Sequence, residues 1–147
     1  MIEIKMTRKP QFKVDFDLPA TEWLQIGAQC RRMMIDRTKS GIDIDGNQFA
    51  GYADLTKEYR SRIGKTTEVV NLEDRGEMHR SLSLKVTSKG VMVYYFDRNR
   101  ANIAISHQEG RGRLPERKHF GLTDQQAETI TQYVRTKINA LAQRTLR

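Results

Sequence analysis

The chain has 147 residues, of which 37% are apolar and 30% charged, and its formal net charge is +8. This size and composition predict a single soluble globular domain spanning residues 1–147. No apolar run reaches the roughly 20 residues needed to cross a bilayer, and the first residues lack the apolar region of a signal peptide, so we expect cytoplasmic synthesis and no membrane contact. The single cysteine, Cys30, excludes an internal disulfide and a cysteine-based zinc site within one chain.

The positive charge is concentrated in the second half of the chain. Residues 77–147 carry thirteen Lys/Arg against six Asp/Glu, a balance of +7, whereas residues 42–76 carry five against seven, a balance of −2. This distribution favours contact with an acidic surface, either nucleic acid or an acidic protein. The plain alternative is a solvated surface that its charge keeps soluble.

The first third of the chain predicts strands followed by a long helix. Apolar residues alternate with polar ones over residues 11–18, which indicates a strand with one buried face, and residues 2–6 show a similar pattern. A helix is predicted from Pro19 to about Ser40, ended by a left-handed residue at Gly41. Its buried stripe comprises Trp23, Ile26, Gly27, Cys30, Met33, Met34 and Arg37.

Residues from about 42 to 70 are predicted to form a mobile loop. Asp43-Ile44-Asp45-Gly46 resembles part of a calcium loop, but its glycine comes too early and the twelfth position is not Glu, so an Asx-type turn is favoured. Within the loop, Thr56 is expected to cap a short helix over residues 57–63.

The remaining elements are a hairpin and two helices. Strands are predicted over residues 82–88 and 90–96, joined by a tight turn. A short helix should run from Ala101 to about Gly110, and the last helix, which begins with a capping box at residues 123–126, should reach about Arg144. Its inward residues are expected to be Ala127, Ile130, Val134, Ile138 and Leu141.

The sequence predicts no catalytic, metal or cofactor site. Ser106 and His107 are chain neighbours, whose side chains point in different directions, and no nucleophile elbow surrounds them. His107-Gln108-Glu109 imitates the His-x-Glu of zinc deaminases, but the required Pro-Cys-x-x-Cys is missing. His79, His107 and His119 show no paired ligand spacing.

A basic loop over about residues 110–121 is the best candidate for binding. Its arginines can contact carboxylate or phosphate, while apolar residues among them provide anchors for an assembly contact. An ordinary solvated loop is the alternative. The candidate interface residues are Arg111, Arg113, Leu114, Pro115, Arg117, Lys118 and Phe120.

Three blocks give the chain a family resemblance. They are RTKSGIDIDGNQFAGY at residues 37–52, LEDRGEMHRSL at residues 72–82 and AISHQEGRGRLPERKHFG at residues 104–121. In this order they resemble the virion morphogenesis family of tailed phages, the Mu-like group also called tail completion or head-tail joining proteins. The matching structural positions are Arg37, Thr38, Gly41, Asp43, Gly46, Phe49, Gly76, Met78, His107, Gln108, Gly110 and Gly121. Glu116 and the pair Lys118-His119 depart from the family pattern and leave the partner of the basic loop open.

The resemblance implies an α+β fold, in which a small antiparallel β-sheet packs against two long helices, and a structural function in the virion neck or upper tail. It implies completion of the tail, or joining of tail to head, by an oligomeric ring with a homohexamer as its expected form. The implied neighbours are head connector or adaptor proteins, tail tube proteins and genomic DNA in the channel. Ring closure needs a heterologous interface, for which residues 111–120 and 47–67 are the hypothetical contacts.

Other classes remain open at the level of sequence. A minor head or connector protein would fit the same resemblance. A basic DNA-binding accessory protein would use the positive second half, although no convincing helix-turn-helix is present. A hydrolase is disfavoured because the sequence shows no paired acidic residues in a plausible cleft.

Overall fold

A computed structural model describes residues 18–88 and 90–145, and the predicted strands before Leu18 lie outside this part of the chain. The elements in chain order are α1 (Ala20–Lys39), α2 (Asp54–Arg62), α3 (Glu77–Arg80), β1 (Leu82–Thr87), β2 (Gly90–Tyr95), α4 (Arg98–Glu109) and α5 (Asp124–Thr145). The two strands pair as an antiparallel hairpin. The predicted α+β class, both long helices and the hairpin are therefore confirmed.

The described residues form two compact units. Unit 1 contains residues 18–33, 83–94 without 89, and 121–145, whereas unit 2 contains residues 34–82 and 95–120. Helix α1 thus contributes its first part to unit 1 and its last turns to unit 2.

Unit 1 is held by apolar packing. On α1, Gly27 lets the helix approach the hairpin, because a Cβ at this position would lie only 2.6 Å from Val91 Cγ2. Ile26 and Ile130 are its most completely buried large side chains. The buried apolar residues of unit 1 are Leu18, Trp23, Ile26, Cys30, Val91, Leu122, Ile130 and Val134.

The two long helices of unit 1 lie antiparallel. Gln126 Nε2, in the first turn of α5, donates a hydrogen bond to Met33 O at 3.1 Å, while Lys137 Nζ lies 3.2 Å from Glu22 Oε2 near the start of α1. The predicted capping box is confirmed: Gln126 N donates to Thr123 Oγ1, and Thr123 N donates to Gln126 Oε1, both at 3.1 Å.

Unit 2 has an apolar core of its own. Its buried cluster consists of Phe49, Val70, Leu72, Met78 and Ala104, with Tyr52 and Tyr95 packed against it. Helix α4 begins at Arg98, earlier than expected, because the Asp97 side chain accepts a hydrogen bond from Arg100 N at 3.0 Å.

The predicted start of α2 is wrong. The helix begins at Asp54 after Ala53, and no side chain caps it, so Thr56 lies inside the first turn. The loop at residues 42–70 does contain the expected short helix, together with an isolated bridge between Ile42 and Gln48. Its mobility stays a prediction.

Candidate functional site

The end of α1 anchors the basic loop to unit 2. Gly41 adopts φ 78°, which ends the helix as predicted. Just before it, buried Arg37 donates from Nη2 to His119 O at 2.6 Å and from Nε to Ile42 O at 3.3 Å. Burial lowers the pKa of Arg37 to about 10, which still leaves the guanidinium charged at neutral pH. An arginine 82 residues away in sequence thus holds the loop main chain.

The turn after α1 is the predicted Asx-type turn. Asp43 Oδ1 accepts hydrogen bonds from Asp45 N at 2.9 Å and Asn47 N at 2.8 Å. Gly46 takes the left-handed φ of 86° that the turn requires. This turn also holds the basic loop, since Ile44 N donates to Lys118 O at 2.9 Å.

Helix α4 fixes the C-terminal part of the same loop. Gln108 Oε1 accepts hydrogen bonds from His119 N and Phe120 N, each at 2.9 Å, so one amide satisfies two main-chain donors. At the helix end, Gly110 has φ 64°, and a Cβ there would lie 2.8 Å from Glu116 N. Glycine is therefore required both for the backbone conformation and for the close approach of the loop.

Arg117 was predicted as an interface residue, but the structure places it inside unit 2. Its side chain is only 4% exposed, and its guanidinium donates from Nε to Ala50 O at 3.1 Å and from Nη2 to Gly51 O at 3.0 Å. The guanidinium also lies over the Tyr52 ring, 5.6 Å from its centroid. Because these internal contacts occupy it, Arg117 supports the loop from within and does not belong to the exposed contact set.

Phe120 and Lys118 are also engaged within unit 2. The half-buried Phe120 ring packs against Tyr95 with 5.7 Å between centroids. Lys118 Nζ lies 3.2 Å from Glu116 Oε1 and 3.6 Å from Asp45 Oδ2, and the hydrogen bond to Glu116 raises its pKa. Both residues therefore have structural contacts in addition to their partial exposure.

Arg60 is a third buried arginine, and the sequence pattern did not predict its burial. It is 4% exposed and donates to Thr66 O at 2.7 Å, to Glu73 O at 3.1 Å and to Asn71 Oδ1 at 3.2 Å. It also lies over the Tyr52 ring, 4.6 Å from its centroid. The only local signal was its position on a short helix, because its carbonyl partners come from a later loop.

The three histidines lie in unit 2 with lowered pKa values. Burial is the main reason that the pKa of His79 is lowered. Burial also lowers the pKa of His107, and the positive charge of Arg117 lowers it further. Burial lowers the pKa of His119 to about 4. His119 Nδ1 donates to Arg117 O at 3.0 Å, since a carbonyl can only accept, which leaves Nε2 to accept from the Tyr95 hydroxyl at 3.3 Å. At neutral pH these rings are therefore uncharged, with His79 and His119 buried and His107 half-buried.

Ser106 does not pair with His107 in the structure. The Ser106 hydroxyl donates to Asn102 O at 2.8 Å, within its own helix, while His107 Nδ1 lies 3.4 Å from Arg117 Nη1. Across residues 18–88 and 90–145 the structure brings together no group of three or more His, Cys, Asp or Glu side chains that could hold a metal ion. None of the helices described is long and apolar enough to cross a membrane.

The outer side of the basic loop remains exposed. Arg111 and Arg113 are exposed, and Leu114 is 39% exposed. Arg111 Nε pairs with Glu109 Oε2 at 2.6 Å. Pro115 is half-buried beside them. The structure therefore divides the predicted interface residues into an inner supporting side and an outer accessible side.

A cleft of about 330 Å³ lies within unit 2 beside this outer side. Its apolar wall includes Tyr52, Leu72, Met78, Ile103 and Leu114, and its charged lining contains five arginines and three carboxylates, a balance of +2. The charged lining residues are Arg60, Arg75, Arg100, Arg113, Arg117, Glu73, Asp74 and Glu77. The sequence pattern did not predict this cleft, because its walls come from separate segments of the chain.

Several of the residues that carried the family resemblance support the basic loop. Arg37, Asp43, Gln108 and Gly110 hold or shape it through the contacts above, while Gly76 takes φ 73° at the start of α3. Phe49 and Met78 belong to the core of unit 2. Gly121 lies in unit 1, where it adopts φ 128°.

Comparison with known families supports the resemblance seen in the sequence. A sequence model described as the phage virion morphogenesis family matches residues 17–139, which is most of the chain. No curated protein sequence and no solved structure matches it.

Proposed function

Because the chain belongs to the phage virion morphogenesis family, we propose that it completes the phage tail, or joins the tail to the head, as a subunit of an oligomeric ring. Family membership gives the protein a structural or assembly role and makes it virion-associated. The proposal adds a place in the neck or upper tail, in the Mu-like group. It assigns the protein no catalytic residue and no cofactor.

The observation that carries this proposal is the two-sided construction of the basic loop. On the inner side, Arg37, Gln108 and Arg117 bond the loop to the rest of unit 2. On the outer side, Arg113 and Leu114 face solvent. A loop held in one conformation loses little entropy on binding, so it can present a charged and apolar surface to another virion component.

A second exposed surface lies on α2. Leu55, Tyr59 and Ile63 follow one another at four-residue spacing and are 80%, 49% and 44% exposed. Side chains at this spacing share one helical face, so the helix and the residue after it present an apolar stripe. We propose this stripe and the outer side of the loop as two assembly surfaces, because a ring subunit must offer different patches to different neighbours.

The proposed neighbours are further copies of the chain, in a homohexameric ring, together with head connector or adaptor proteins and tail tube proteins. The positive balance of residues 77–147 would also suit genomic DNA passing through the channel. A minor head or connector protein is the second candidate within the same family role.

Electron microscopy of particles assembled without this protein tests the function. Filled heads and separate tails are the expected products, because only completion or joining is missing. Missing or misshapen heads would contradict the proposal and support a minor head protein. Normal infectious particles would contradict any assembly role.

A further inference from the structure

We propose that the cleft of unit 2 receives an acidic segment of a different virion protein, with an apolar side chain inserted between carboxylates. This inference rests on the proposed function, because it names the partner of the loop side of the subunit. It differs from that function in assigning a recognition chemistry to a defined cavity. The observations that carry it are the apolar wall, the charge of the rim and the net charge of the chain.

The cleft has a wall suited to an apolar side chain. Leu72 and Met78 are 9% and 7% exposed and belong to the core of unit 2, so they form a firm floor. Ile103 and Leu114 line the same cleft and are 41% and 39% exposed. An inserted side chain would cover these two residues, which gives the exposed pair a partner and removes apolar surface from water.

Most of the charged groups in the cleft are already paired. Arg60 and Arg117 donate to main-chain carbonyls, Arg100 pairs with Glu77, and Glu73 Oε1 lies 3.5 Å from Lys39 Nζ. These groups hold the walls of the cleft in place. They leave little freedom for contacts with a ligand.

Two arginines at the cleft, Arg75 and Arg113, are not paired in this way. Within residues 18–88 and 90–145, the structure gives the guanidinium groups of Arg75 and Arg113 no ion-pair or hydrogen-bond partner. Both side chains are exposed, and among the described residues Asp74 is the carboxylate of the lining for which the structure gives no partner. Two free guanidinium groups beside an apolar wall match a segment that carries carboxylates on either side of an apolar residue.

Charge and size favour a different protein over a second copy or DNA. The chain has a net charge of +8, so a second copy would bring repulsion to this rim, whereas an acidic partner would be attracted. A cleft of about 330 Å³ holds one or two side chains but cannot take in the backbone of a duplex. Duplex binding would also have no use for the apolar wall.

Fluorescence anisotropy with the full chain tests the inference directly. The probe is a rhodamine-labelled peptide, Gly-Asp-Leu-Asp-Phe-Asp-Gly, and its partner probe carries Asn in place of each Asp. We expect saturable binding of the acidic peptide, and binding of the Asn peptide that is about tenfold weaker or more, because the guanidinium groups recognise charge. Equal binding of both peptides, or no binding of the acidic one up to ~1 mM, would overturn the inference.

Variants locate the binding in the cleft. Arg75→Glu and Arg113→Glu should each weaken acidic-peptide binding by about tenfold, because each removes a rim guanidinium and adds a repelling charge. Arg111→Glu is the matched control: Arg111 lies in the same loop outside the cleft and should leave peptide affinity within about twofold. Equal losses in all three variants would show general attraction to the basic loop and would overturn the assignment to the cleft.

The other occupants give distinct results. A short DNA duplex that displaces the peptide, with binding lost in the same two variants, would replace the protein partner by nucleic acid. A change of oligomeric state in Arg113→Glu, measured by sedimentation velocity, would replace it by a second copy. Unchanged oligomeric state and no competition from DNA support the acidic segment.

This test separates the inference from the function on which it rests. If the acidic peptide binds the wild-type chain but not Arg75→Glu, and particles made without the protein are still normal and infectious, the cleft chemistry stands and the proposed function fails. If the acidic peptide does not bind and particles without the protein still show separate heads and tails, the proposed function stands and the inference fails.

Discussion

Different kinds of interaction stabilise the interior of each of the two units. In unit 1, apolar residues of α1, β2 and α5 are buried, and Ile26 and Ile130 are the most enclosed. In unit 2, a small apolar core is accompanied by three buried arginines, Arg37, Arg60 and Arg117, whose guanidinium groups donate to main-chain carbonyls. The stability of unit 1 therefore depends mainly on the packing and burial of apolar side chains. The stability of unit 2 depends also on hydrogen bonds from individual buried arginines.

This difference suits the proposed assembly role. Hydrogen bonds from buried side chains to main-chain atoms fix the path of an irregular loop, which apolar packing alone does less specifically. The outer side of the basic loop can then be presented to a partner in a defined conformation. The contrast between the units predicts different responses to substitution and to pH.

The largest loss of stability is expected in unit 1. Ile130→Ala should lower the free energy of unfolding by about 3 kcal/mol, because it removes a buried side chain and leaves a cavity. Urea unfolding followed by circular dichroism measures the change. Leu24→Ala, at a position that is 43% exposed on α1, is the matched control and should cost less than about 1 kcal/mol. Equal losses in both variants would contradict the apolar account of unit 1.

The contrast between the units also marks what the sequence could predict. Helices α1 and α5, the hairpin and the capping box followed from local periodicity and cap residues, which are encoded within a few positions. The burial of Arg60 and Arg117 could not be predicted in this way, because the carbonyls that accept their hydrogen bonds come close to them only when the loops have folded. Arg117 donates to the carbonyls of Ala50 and Gly51, which lie 67 and 66 residues earlier in the chain.

The site was predicted in part for the same reason. The basic composition of residues 110–121 indicated the loop as a candidate interface, and in the structure Arg111, Arg113 and Leu114 are its exposed members. Composition could not show which arginine turns inward. The cleft could not be predicted either, since Leu72, Ile103 and Leu114 meet only after folding.

The next largest effect is expected from the inner side of the basic loop. Arg117→Met should cost about 2 kcal/mol of unfolding free energy, because it deprives two main-chain carbonyls of their donors and removes the contact with the Tyr52 ring. Arg113→Met, the matched control on the exposed side, should change stability by less than about 0.5 kcal/mol. The reverse order in urea unfolding would show that the two sides have been assigned incorrectly.

A comparable effect is expected from pH. Folding keeps His119 neutral and lowers its pKa from 6.5 to about 4, so the unfolded chain binds more protons in this range. The stability contribution is present above pH 6.5 and is lost as the pH falls towards 4, with a loss of about 2 kcal/mol by pH 5 from this group alone. His79 and His107, whose pKa values are also lowered, act in the same direction.

Urea unfolding at pH 7.5 and pH 5 measures this dependence. In His119→Gln the difference between the two pH values should shrink, because the group that takes up the proton is gone. A wild-type protein that is equally stable at both pH values would contradict a neutral, buried His119.

The smallest effect on stability is expected on the outer side of the loop, where Leu114→Asp should change the unfolding free energy by less than about 0.5 kcal/mol because Leu114 is 39% exposed. The same substitution should have a large effect on assembly. Leu24→Asp, at a similarly exposed leucine of unit 1, is its control.

The most direct test of the assembly role is electron microscopy of particles produced when Leu114→Asp replaces the wild-type chain in the phage that encodes it. The account predicts a folded variant, filled heads and separate tails, while the Leu24→Asp control gives joined particles. Joined, infectious particles in the Leu114→Asp sample would contradict the claim that the outer side of this loop is an assembly surface.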